Sequence, residues 1–274
     1  RPERSNETGG PSMTTTSQAK SATRDGVTLR YIDTGAGEPP LLFIHGWTCN
    51  RSNWRDQIPY FAKKHRVVGV DLRGHGESDK PDQDYTIEGF VDDVAWLIGK
   101  LGLERPVVIG HSMGGTIALN LVRKQPKLVS AIVMIDAPIL PFPDATLAMV
   151  EQLLAGMRSP AYSGVAMGFA RMAFFDANSP PELVEELVAG VGAAPQRLMH
   201  TAMASIGAPE SKEDGAIPVP ALFIRAGTAY ATEEEIRTRY PGVGVITVPA
   251  AHFVQMEQPA ATNNIISDFL DKLE

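Results

Sequence analysis

Gly110-His111-Ser112-Met113-Gly114 stands between a short apolar run, Pro106 to Ile109, and a helix-like stretch, Gly115 to Gln125. A Gly-x-Ser-x-Gly pentapeptide between strand and helix has the context of a nucleophile elbow. There the serine occupies a tight, strained turn, and the residues two positions to either side must lack bulk. Gly110 and Gly114 meet that need. The pattern also arises by chance in a chain with 25 glycines, and its plainer reading is a helix N-terminus with a serine cap. The strand in front of it favours the elbow.

Outward from this point the chain alternates between strands and helices. Asp25-Gly26 divides Lys20–Arg24 from Val27–Asp33 as a hairpin turn. Pro40–Ile44 and Arg66–Asp71 are β-branched apolar runs separated by a helical piece from about Ser52 to Lys63. Thr86 can cap a helix through Leu101 that stops at Gly102. Strand Val107–Gly110, the helix behind Ser112 and strand Leu128–Ile135 follow. From Pro138 to about Asp214 only helical pieces broken by prolines are legible. Winding resumes with Val219–Arg225, a helix that Thr232 and Glu235 close with a capping box, Val243–Val248, and a last helix from Pro259 to Leu273. This repeated βα winding predicts an α/β fold whose mostly parallel, twisted sheet is flanked by helices, with the loops after the strands gathered along one edge. The predicted organisation is an N-terminal segment outside the fold (1–22), a core (23–137 and 215–274) and an inserted helical cap (138–214).

Composition narrows the function classes. A chain of 274 residues with 43% hydrophobic content can bury one large core with an insertion. The net charge of -7 comes without a basic cluster, so there is no electrostatic footprint for nucleic acid or an anionic membrane. No apolar run is long enough to span a bilayer. Cys49 is the single cysteine, which excludes an internal disulfide framework and a thiolate metal cluster and matches a reducing, cytoplasmic setting. Arg1 to Thr23 is rich in Ser, Thr and Gly and has no signal-like apolar region. Met13 is a plausible start, so the first twelve residues are read as an expression remnant.

Four motifs now occur in one order: His45-Gly46-Trp47 after the first parallel strand, Asp71-Leu72-Arg73-Gly74-His75-Gly76-Glu77-Ser78-Asp79 after the second, Gly-His-Ser-Met-Gly-Gly at the elbow, and small residues before His252. Together they resemble the α/β-hydrolase superfamily, serine esterase- and lipase-like with a helical cap, across nearly the whole chain after residue 23. A serine hydroxyl needs a base to become a nucleophile, and histidine has the pKa to take and return its proton. Of the six histidines, the resemblance puts that role on His252, in Pro249-Ala250-Ala251-His252-Phe253. His45 and His75 fall in loops that look structural, His111 flanks the nucleophile, and His65 and His200 have no motif context. The resemblance also implies an oxyanion hole from the backbone amides of Trp47 and Met113. As side chains, these two are either pocket walls or core.

The acid departs from the pattern. The resemblance expects Gly-x-x-Asp after Ala221–Ile224, but the chain reads Gly227-Thr228-Ala229-Tyr230. Asp136, closing Ile132–Ile135, is the replacement, and certain haloalkane dehalogenases are similar in carrying their acid after that strand. An aspartate ending a buried strand is costly unless paired, and His252 would pair it. The alternatives are that Asp136 caps the turn into Pro138, that one of Glu233, Glu234 and Glu235 serves, or that the Ser-His pair works without an acid. Asp71 is assigned to pinning its own loop.

Serine at position 112 disfavours dehalogenases and epoxide hydrolases, which need a carboxylate there to form an alkyl-ester intermediate. What remains first is hydrolysis of a carboxylic ester, a small-molecule substrate of medium size and partly apolar, through an acyl-enzyme on Ser112 with catalytic residues Ser112, His252 and Asp136. Lactonase, thioesterase, perhydrolase and carbon-carbon bond hydrolase use similar machinery. A hydroxynitrile-lyase-like enzyme and a non-catalytic ligand receptor are the readings from other classes. No metal or organic cofactor is implied. In the cap, Met149, Met157, Met167, Phe169, Met172, Phe174, Phe175, Met199 and Met203 either line an adaptable pocket or hold the cap helices to the sheet.

Overall fold

The computed structural model describes residues 19–208 and 214–273. Strands β1 (Lys20–Arg24) and β2 (Val27–Thr34) form the expected hairpin, with Asp25 and Gly26 both at positive φ in its two-residue turn. β1 begins three residues earlier than the boundary placed at residue 23: Lys20 pairs with Tyr31, and Ala22 is buried opposite Leu29. Lys20–Ala22 therefore belong to the core. The rest of the expected N-terminal segment, residues 1–18, lies outside the described residues.

β3 (Leu41–Ile44), β4 (Val67–Asp71), β5 (Val107–His111) and β6 (Ala131–Ile135) are buried at every position. That is the signature of parallel strands covered on both faces. With β7 (Ala221–Ala226) and β8 (Gly244–Val248) they complete an eight-stranded sheet of order β1-β2-β4-β3-β5-β6-β7-β8. Only β1 and β2 run antiparallel to their neighbours.

Alternation within the strands feeds two cores. Leu42, Ile44, Val108, Ile132 and Met134 face helices α2 (Ile87–Lys100) and α3 (Met113–Lys124). Leu41, Phe43, Ile109, Val133 and Ile224 face Trp54, α1 (Ile58–Phe61) and Ile266 and Leu270 of the C-terminal helix. Where one helix was expected over Ser52–Lys63, the chain forms a 3-10 turn at Arg51–Trp54, closed by an Asn50 capping box, and then the short α1. The Asn50 carboxamide draws the chain into a cap, and Pro59 restarts it as a new helix. β6 starts at Ala131, not Leu128, because Leu128 donates to Gln125 in the turn that ends α3.

Among the described residues four helices lie between β6 and β7: α4 (Asp144–Met157), α5 (Tyr162–Ala173), α6 (Pro181–Gly192) and α7 (Gln196–Gly207). Residues 209–213 of the expected cap fall outside the described residues. α8 (Glu233–Arg239) carries the expected Thr232–Glu235 capping box, and α9 (Val254–Glu257) and α10 (Pro259–Leu270) end the chain. No helix of the described residues is long and apolar enough to cross a membrane.

Candidate active site

β5 lies inside the sheet between β3 and β6 and stops at His111. The next residue, Ser112, has φ 52° and ψ -121°, and α3 begins at Met113. A serine is strained at this backbone angle and is held there by its surroundings. The two glycines are what let those surroundings close. A Cβ on Gly110 would run into the carbonyl of Gly114, and one on Gly114 would run into that of Ile44. The same packing sets the His45–Trp47 turn against the nucleophile, since a Cβ on Gly46 would lie 3.2 Å from that of Ser112. The Met113 amide is one of the unpaired N–H groups at the start of α3. Among the described residues no backbone carbonyl accepts from it or from the Trp47 amide.

Asp136 follows β6 at φ 43°, another strained position beside Ser112. Its Oδ1 accepts the Ala226 amide of β7 at 3.1 Å, and its Oδ2 lies 2.7 Å from His252 Nδ1. A carboxylate only accepts, so Nδ1 carries the proton and Nε2 keeps a lone pair. The carboxylate thus bonds to the neighbouring strand and to His252, not to the amides of its own turn. Tyr230, at the position where the resemblance expects an acid, binds the start of the cap: its hydroxyl donates to the Leu140 carbonyl at 2.9 Å and accepts the Leu140 amide at 3.2 Å. Glu235 is occupied in its capping box.

Ser112, Asp136 and His252 line one cavity of about 220 Å³ beneath α4, α5 and α7. Its walls are Trp47, Phe142, Met149, Val150, Phe169, Phe174, Met203 and Ile206, with Thr146, Thr228 and Tyr230 adding hydroxyls. Of the nine cap residues singled out in the sequence, Met149, Phe169, Phe174 and Met203 reach this cavity. Met157 and Met199 are core instead, and Met172 is 68% exposed. Phe142, Val150, Ile206 and Tyr230 carried no sequence signal as wall residues, because only the folded loops bring them together.

The side chains of Trp47 and Met113 divide. The Trp47 ring lines the cavity, meets Phe169 and Phe174 edge-on at 6.4 Å, and donates from Nε1 to the Met199 carbonyl at 3.1 Å. Met113 is fully buried in the core on the α2–α3 side and is not a pocket wall.

Of the other histidines, His45, His65, His75 and His111 are held by backbone. His45 accepts the Leu72 amide on Nε2 and donates from Nδ1 to Gly46. His75 Nδ1 bonds to the Arg73 carbonyl, and its ring packs against His45 at 4.8 Å. His111 donates from Nε2 to the His252 carbonyl at 2.9 Å, so it steadies the loop of His252, a contact its sequence context did not suggest. Burial, then the neighbouring His252, holds His111 well below the usual histidine range. Asp71 pins its loop as expected, accepting the amides of Arg51 and Glu77 and pairing with the Arg51 guanidinium. Among the described residues there is no cluster of His, Cys, Asp and Glu that could hold a metal ion.

A mostly parallel sheet of this order, with Ser112 on the tight turn after β5 and His252 after β8, has the architecture of the alpha/beta-hydrolase fold. A family model described as alpha/beta hydrolase fold matches residues 39–166, and the chain has that fold. It is 36% identical over 115 residues to epoxide hydrolase 1 of Caenorhabditis elegans, a match covering 41% of this chain and 28% of that protein. It is 28% identical over 261 residues to the 2-(acetamidomethylene)succinate hydrolase of Mesorhizobium japonicum, covering 89% of this chain and 92% of the relative. The enol-lactonase structure from Burkholderia xenovorans superposes with a TM-score of 0.80 at 23% identity, over 92% of this chain and 100% of that one, a likeness of fold.

Proposed function

We propose that this chain hydrolyses carboxylic esters through an acyl-enzyme on Ser112. His252 Nε2 takes the hydroxyl proton as Ser112 Oγ attacks the ester carbonyl. The proton then passes to the departing alcohol as the C–O bond breaks. His252 next deprotonates a water that attacks the acyl-enzyme, and returns that proton to Ser112 as the acid leaves. Asp136 keeps the imidazole in the working tautomer and stabilises its charged form. The amides of Trp47 and Met113 receive the carbonyl oxygen as it gains charge. The observation that carries this reading is the 2.7 Å bond from His252 to Asp136 in a cavity that also holds Ser112.

The epoxide hydrolase likeness does not transfer as chemistry, because an alkyl-ester intermediate needs a carboxylate where this chain has Ser112. The relative named for a succinate derivative suggests a charged substrate, but the cavity walls argue for a neutral one. Among the described residues no Lys or Arg lines the cavity, and Asp136 already places a negative charge there. At about 220 Å³ the cavity is below the range of about 300–1,000 Å³ common for drug-sized ligands. A small, uncharged ester with an apolar acyl or alcohol group fits it. The inserted segment after β6, with helices α4 to α7, acts as the cap that supplies most of these walls. Cys49 is buried with its thiol pKa pushed up to about 12 by burial, so it is no competing nucleophile, and as the single cysteine it suits a cytoplasmic enzyme.

The test is release of p-nitrophenol from p-nitrophenyl esters of increasing acyl length. Saturable turnover by the unaltered protein, abolished in Ser112→Ala, supports the reading. Equal release by both proteins overturns it.

A further inference from the structure

One cap residue touches the candidate base twice. Phe174, which ends α5, accepts the His252 backbone amide on its carbonyl at 3.2 Å. Its ring lies on the imidazole of His252 with centroids 4.6 Å apart and planes 22° apart. Most other ring contacts around the site are tilted or edge-on, as between Phe174 and Phe169 at 77° or His252 and Phe253 at 78°. The adjacent pair is also stacked, Phe175 on Phe253 at 14°. The same stretch is tied a third time, where Ser179 donates to Glu257 at 3.2 Å while Glu257 accepts the Ala251 amide at 3.0 Å. The loop carrying the base is therefore gripped from the cap as well as from the sheet.

We propose that Phe174 is a positioning residue for His252, completing the base only when the cap is seated; this rests on the esterase reading above. An imidazole hydrogen-bonded at Nδ1 alone can still swing about that bond, and a flat aromatic face against it removes the swing. The negative face of the phenyl ring also attracts the imidazolium that forms at each proton transfer. The charged and titratable groups around the ring are few. Asp136 holds Nδ1 from the end of β6. His111 lies 4.8 Å away on β5, with burial holding its pKa well below the usual histidine range. Glu257 bonds to the loop's backbone and Ser112 faces the cavity. Phe174 is the cap's contribution to this set.

The sign of the effect follows. A ring that favours the charged imidazole helps His252 to hold the proton, so the ringless variants are expected to release it more readily than the unaltered protein.

The experiment compares the unaltered protein with Phe174→Leu, Phe174→Met and Phe174→Tyr. Leu and Met keep apolar bulk without a face, and Tyr keeps the face. The His252 ring is titrated by NMR, and kcat and KM are measured on one short p-nitrophenyl ester. The expected result is a lowered His252 pKa and a fall in kcat of about tenfold for Leu and Met, with KM changed less, and near-native values for Tyr. If Leu does not fold, Met supplies the same comparison. An unchanged pKa and kcat in the folded ringless variant overturns the proposal, as does a loss shared equally by Tyr. Absence of Ser112-dependent turnover in the unaltered protein would instead refute the esterase reading, and the NMR titration still reports on Phe174.

Discussion

Asp136 Oδ2 and His252 Nδ1 meet at 2.7 Å although the strands that carry them are not neighbours: Asp136 follows β6, His252 follows β8, and β7 runs between. The carboxylate spans the gap by fixing its other oxygen to the Ala226 amide of the intervening strand. The acid is thereby aimed by backbone, not by a neighbouring side chain.

Replacing Asp136 by Asn should lower kcat by about 10³–10⁴, the scale known when a triad acid becomes an amide. The Asn carbonyl can still take the Ala226 amide, so the fold should persist. Its NH₂ would face Nδ1 and drive the imidazole to the opposite tautomer. Circular dichroism with ester kinetics checks both halves, and near-normal kcat would remove Asp136 from the mechanism.

Gly110→Ala and Gly114→Ala should each cost about 1–3 kcal/mol or more, because the new methyl meets backbone carbonyls that cannot move aside. Urea unfolding measures the loss. An unchanged midpoint would mean that the elbow is looser than described.

Trp47→Phe separates the amide from the side chain at one position. It removes the bond to the Met199 carbonyl and should cost about 1 kcal/mol of stability. Because the backbone N–H stays, kcat on a small ester should remain within a few-fold of native. A collapse of kcat without loss of stability would mean that the indole itself takes part in the chemistry.

Stability should fall as the pH drops below about 6.5. Burial lowers the pKa values of His45, His75 and His111 in the folded protein, whereas the unfolded chain protonates them near the ordinary value. The unfolded state then binds more protons, so the contribution is whole above 6.5 and shrinks toward the lowered folded values, by up to about 1.4 kcal/mol per pH unit for each histidine. Urea midpoints at pH 7.5 and 5.5 test this. His75→Gln should flatten the slope, and an identical slope would contradict the account.

The parallel sheet was legible because strands buried on both faces must be continuously apolar, as Leu41–Ile44 and Ala131–Ile135 are. Asp136 was legible for the converse reason, a charge at the end of such a run. Lys20–Ala22 were legible as part of the first hairpin strand, and the boundary at residue 23 cuts through that strand. The helix expected over Ser52–Lys63 is split between Trp54 and Ile58 into a 3-10 turn and a short helix, a division that helical periodicity does not register. The grip of Phe174 on His252 joins residues 78 positions apart, and no local pattern announces it.

The most direct test of the central claim is intact-protein and peptide mass spectrometry after exposure to diethyl p-nitrophenyl phosphate, which traps an activated serine. The account predicts one diethylphosphoryl group per chain, on the peptide carrying Ser112, with loss of ester turnover in proportion to labelling. No adduct, or an adduct elsewhere while Ser112 stays free, would contradict it.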